Sequence, residues 1–150
     1  MDSMNDTKVV AGPAPGRTGH TRRLLRLAGT GLVAAIAAMA ATTLAAALAQ
    51  AVGVDFKVAD GETIPVPGFA VVTGFFSVVG VVIAVALLRW SARPAERFVW
   101  TAVTLTALSF VPPVLAGANT ATIITLIGLH LVPAAVMIPT LTRSLRTRTD

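Results

Sequence analysis

Few side chains in this sequence could do chemistry, and His130 heads them, because it is the one ionisable group inside any of the long apolar runs. A charge in hydrocarbon is costly, so such a residue normally faces a bundle interior or water and is a functional hypothesis by default. Histidine softens that default, since its neutral ring sits in a membrane as one donor and one acceptor at modest cost. An interhelical hydrogen bond is therefore the preferred reading, and proton handling, ligand contact and metal binding are the alternatives. On a helical projection Asn119, Ile123, Ile127, His130, Ala134 and Met137 share one side, with Asn119 about three turns before the histidine. Pro133 removes the amide that would bond to the Leu129 carbonyl and Pro139 does the same for Ala135, so this half of the helix is expected to kink and expose acceptors. Pro112-Pro113 breaks the preceding run in the same way, with Ser109 one turn earlier as a local donor. Thr73, Ser77, Gly80 and Ala84 recur at helical spacing on another run, as a helix-helix seam or the lining of a polar path.

No enzyme reading fits these residues. General acid-base work needs a positioned partner, and no carboxylate lies at the depth of His130. Ser77 and Ser109 have no acidic companion for a hydrolytic triad. His20 lies in the polar N-terminal tail, so a bis-histidine haem is not available, and one imidazole with hydroxyls would make a weak metal site. Without cysteine there are no thiol nucleophiles, thiolate zinc sites or iron-sulfur clusters. Asp55, Asp60 and Glu62 form the one acidic stretch, against Lys57, but their spacing matches no calcium loop and a solvated connection is expected. No cofactor and no bound metal are expected.

The elements that must position these residues are membrane helices. The chain is 55% hydrophobic and 13% charged, with a mean hydropathy of +0.78, far more apolar than a soluble domain. The net charge of +5 does not indicate nucleic acid, because the basic residues cluster at the ends of apolar runs rather than on a solvated face. Four runs long enough to cross a bilayer predict an all-α integral membrane protein, an antiparallel four-helix bundle spanning residues 27–52, 66–88, 98–116 and 120–141. Gly117 and Ala118 leave so short a turn that the last two spans must form a hairpin. Residues 1–26 read as a disordered basic tail and 142–150 as a second basic tail. Lys and Arg number five before the first span, one in the first connection, three in the second, none in the third and three in the last tail. That distribution predicts cytoplasmic termini and a plasma-membrane location. Arg22-Arg23 as a twin-arginine signal and Ala47-Leu48-Ala49 as a signal-peptidase site are weaker readings, since the first run is longer than a signal-peptide core.

The order Gly53-Val54-Asp55-Phe56-Lys57-Val58, then Ser109-Phe110-Val111-Pro112-Pro113, then Leu129-His130-Leu131-Val132 with Ile138-Pro139, resembles the uncharacterised membrane family DUF6069. The resemblance runs from about Leu27 to Arg143 and implies a four-helix membrane protein of actinobacterial origin, with no activity attached. The expected role is a non-enzymatic interaction or accessory subunit whose partners are the lipid bilayer and itself or another membrane protein. Small-residue seams on the first two spans motivate it. The alternative is a small oligomeric transporter or proton-coupled permeation protein that uses His130.

Overall fold

The computed structural model describes residues 16–58 and 61–147. Its helices are α1 (Gly16–Ala51), α2 (Val66–Trp90), α3 (Pro94–Leu108), α4 (Val111–Leu115) and α5 (Thr120–Arg146). Counting α3 with α4, four segments are long and apolar enough to cross a membrane. The chain is thus built as an all-α, multi-pass membrane protein, and among the described residues the sole β feature is an antiparallel bridge between Lys57 and Thr63.

Helix ends follow local chemistry. Proline opens both α2 and α3, where its missing amide costs nothing and its fixed φ suits the first turn. Glu96 in the first turn of α3 adds a favourable charge at the positive end of the helix dipole. Gly117, at φ +62°, supplies the left-handed turn into α5 that other residues adopt reluctantly.

The helices form a ring in which α1 packs on α2 and α5, and α3 packs on the other flank of α2 and α5. Leu27, Ala34, Ala35 and Ala38 of α1 meet Ala84, Phe98, Met137, Leu141 and Leu145 in one buried cluster. Ala46, Phe56, Leu126 and Leu129 form a second at the opposite end. Outside, Leu32, Val33, Ile36, Val71, Phe75, Phe76 and Val82 are all more than half exposed, an apolar girdle that suits acyl chains and not water.

Three boundaries move from those expected, one of them the start of α3, at Pro94 instead of Phe98. Gly16 to Arg26 is helical instead of disordered, because a helix already nucleated by the apolar run extends at little cost into its polar flank. Met1 to Pro15 lies outside the described residues. Thr142 to Arg146, expected in the basic tail, continues α5, and Leu145 is fully buried, so the last helical turns are packed rather than trailing. Arg148 to Asp150 lies outside the described residues. The small-residue seam expected on the first two spans is used inside the bundle: a Cβ added at Gly31 would meet Val81, and one at Gly74 would meet Met39.

Candidate functional site

His130 lies half-buried on α5. Its Nδ1 is 2.6 Å from the Leu126 carbonyl of the same helix. A carbonyl only accepts, so Nδ1 is the donor in this bond. The expected interhelical tie is therefore a correction: among the described residues His130 bonds back to its own helix. What reaches it from outside is Phe110, whose ring stands edge-on at 6.5 Å between centroids and 81° between planes.

Phe110 is there because the Pro112-Pro113 pair splits the third span. Two successive prolines remove two amides and crowd the preceding turn, so α3 ends at Leu108 and α4 restarts with the prolines in its first turn. The Ser109 hydroxyl donates to the Thr106 carbonyl at 2.7 Å, which makes it the local donor expected at this break. Pro133 and Pro139 behave differently: isolated from one another, they sit inside one continuous helix. The elbow of the third span thus packs on the histidine of the fourth.

Asn119 is not a companion of His130. Its side chain accepts from the Thr122 amide at 2.9 Å, capping α5 about 16 Å along the axis from the histidine. Thr73 and Ser77 are buried, on the face of α2 that also carries Ala84. Several other intramembrane hydroxyls are satisfied on their own helices, as Thr43, Thr106, Thr125 and Thr140 donate to the carbonyl four residues back at 2.6–2.8 Å.

Thr42 departs from that pattern and escapes sequence reasoning. Its hydroxyl is buried and makes no hydrogen bond, as is also true of Thr142 near the end of α5. Gly31 beside Leu141, and Ala46 in one cluster with Leu126, fix an antiparallel register that places Thr42 level with His130. The one sequence signal was the Thr42-Thr43 pair in the middle of an alanine-rich run.

The first connection is exposed at Asp55, Lys57 and Glu62, as a solvated loop should be, and it is also folded. Val58 N donates to the Glu62 carbonyl at 3.0 Å and Ile64 N to the Phe56 carbonyl at 3.2 Å, folding the loop back on itself. Phe56, at φ +49°, is fully buried and packs on the Phe69 ring at 5.0 Å. Asp55 receives the Lys57 amide at 3.3 Å and the Thr122 hydroxyl at 3.5 Å, tying the loop to the start of α5. Among the described residues no group of three His, Cys, Asp or Glu side chains gathers as a metal site. Asp60, one of the three loop carboxylates, lies outside the described residues.

The model of a family of unknown function, DUF6069, matches residues 22–147, most of the chain. The chain belongs to the DUF6069 family. No curated protein and no solved structure matches it. In this DUF6069 member three of the stretches that carry the resemblance come into contact: Phe56 shares a cluster with Leu129, and Phe110 lies on His130.

Proposed function

We propose that this chain is a plasma-membrane protein with both termini in the cytoplasm, acting as a non-enzymatic interaction or accessory subunit that associates with itself or another membrane protein. Orientation rests on the basic residues, nearly all of which fall on one side of a four-span topology. The association reading does not draw on Gly31 and Gly74, which are taken up between α1 and α2. It rests on α5, where Ala121, Ile124, Gly128, Leu131, Ala135 and Pro139 face outward. Gly128 carries the reading, because a Cβ there would meet nothing within 4 Å and the notch it leaves between exposed Ile124 and Leu131 can receive a side chain or backbone of a neighbouring helix.

The expected result for Gly128→Leu is loss of association with no loss of thermal stability, read by mass measurement and crosslinking in mild detergent. Within the isolated bundle the added side chain has open space, and leucine is a better helix former than glycine by roughly 1 kcal/mol. A wild-type protein that runs as a lone monomer and crosslinks to nothing would remove the proposal.

The second reading, proton-coupled permeation through an oligomer, is favoured by one observation: the unpaired Thr42 hydroxyl lies level with the His130 ring. Here His130→Ala in reconstituted liposomes is expected to abolish flux. Absence of flux in the wild type, or flux unchanged by the substitution, eliminates this reading.

A further inference from the structure

A cavity of about 390 Å³ opens at the end of the bundle where α2 passes into α3 and α5 finishes. That volume falls in the ~300–1,000 Å³ range of small-ligand sites. Its apolar floor includes Ala95 and Val99, and its rim carries Arg93, Glu96 and Arg146, with Trp100 at the mouth. Trp100 is 69% exposed and Trp90, the other tryptophan, 78% exposed, and both stand towards the ends of membrane-spanning helices, where indoles favour the zone between headgroups and acyl chains. Arg89 lies over the Trp90 ring at 5.9 Å, a further cation at this interface.

We propose that this cavity binds the phosphodiester headgroup of an anionic glycerophospholipid, held between Arg93 and Arg146 while its glycerol and upper acyl carbons lie on Ala95, Val99 and Trp100. Guanidinium groups match phosphate oxygens in geometry as well as charge. The two arginines come from different elements, so a headgroup between them joins the connection after α2 to the end of α5. A headgroup at the bilayer surface is already at the level of the tryptophans, whereas a soluble anion would leave the apolar floor facing water.

Glu96 opposes the ligand and makes the idea testable in both directions. Its carboxylate is 3.5 Å from Arg93, in a pair whose side chains are 57% and 78% exposed, an arrangement worth little in water and easily exchanged for a phosphate. Glu96→Gln replaces the competing carboxylate with a neutral, weaker acceptor and removes its repulsion of the phosphate, so lipid binding tightens a few-fold.

The experiment uses the full chain carrying Trp90→Phe, which leaves Trp100 as the sole fluorophore, in phosphatidylcholine vesicles containing a minor fraction of chain-brominated phosphatidylglycerol or chain-brominated phosphatidylcholine. Excess quenching by the anionic lipid is expected. Arg93→Gln or Arg146→Gln should weaken that preference about five-fold, Glu96→Gln should strengthen it, and Arg143→Gln, the same charge change outside the cavity, should leave it intact. Far-ultraviolet circular dichroism checks that each variant stays folded, and all four positions are exposed, so folding is not at stake. Equal quenching by both lipids would overturn the proposal, as would an equal loss in Arg143→Gln, which would mean a general surface potential. Displacement of the preference by inorganic phosphate at constant ionic strength would overturn the lipid assignment.

Discussion

Phe56→Ala is expected to lower the stability of the detergent-solubilised protein by about 3–5 kcal/mol, the largest effect of any single truncation in the chain. The ring is fully buried, packs on Phe69, and joins Ala46, Leu126 and Leu129 where the connection between α1 and α2 closes the bundle. Most of the other large side chains touch lipid or detergent, which is as apolar as they are, so their truncation loses packing alone. Phe56 belongs to a loop at the water boundary, and its truncation also loses transfer free energy. It further undermines the folded loop, since the Phe56 carbonyl accepts the Ile64 amide and the adjacent Asp55 holds Thr122. The backbone supplies a second test. At φ +49° a non-glycine residue carries roughly 1–3 kcal/mol of strain, which alanine keeps and glycine relieves. Phe56→Gly should therefore lie above Phe56→Ala in thermal midpoint although it removes more of the side chain. A loss below about 1 kcal/mol for Phe56→Ala would mean that the ring is not the plug described here.

The four spans were legible because lipid imposes one simple condition, a run of apolar residues long enough to cross, and the helices at Val66 and Thr120 begin where that condition predicts. The polar ends were less legible. Hydropathy marks where the bilayer stops and not where hydrogen bonding stops, so α1 begins at Gly16 and α5 continues through Thr142 and Leu145. His130 was found from its type, but its partner was not. A side chain that can reach the carbonyl four residues back needs no second helix, and periodicity on one helix does not distinguish that bond from a tertiary one. Asn119 shared the face of His130 by angle yet serves the helix start, because a cap is decided by position along the axis. Thr42 and Phe56 escaped for the opposite reason. Both are ordinary in local sequence: Thr42 is buried with an unbonded hydroxyl and Phe56 shares a cluster with Leu126 and Leu129 of α5, and no local spacing encodes either.

Glycines show the same limit and give the second large effect. Gly29, Gly31 and Gly74 look alike in sequence as small residues of apolar helices, but a Cβ at Gly29 meets nothing within 4 Å. At Gly31 the added carbon would sit 2.5 Å from one methyl of Val81 and 3.1 Å from the other. Val81 is β-branched and holds a single strongly preferred rotamer on a helix, so it cannot swing aside and α1 and α2 must move apart. Overpacking of this kind costs about 1–3 kcal/mol, against a gain of roughly 1 kcal/mol from the better helix propensity of alanine. Gly31→Ala is thus expected to lower the thermal midpoint. Gly74→Ala, on the same seam, brings its carbon within 2.9 Å of the Met39 sulfur, the mobile part of an unbranched side chain that can turn away. Here the propensity gain is left largely unopposed and the midpoint should hold or rise. Val81→Ala combined with Gly31→Ala should recover more stability than the two single effects predict together, because the clash exists only when both side chains are present. Equal responses at the two glycines, or additivity in that double variant, would show that α1 and α2 do not meet at Gly31 and Val81.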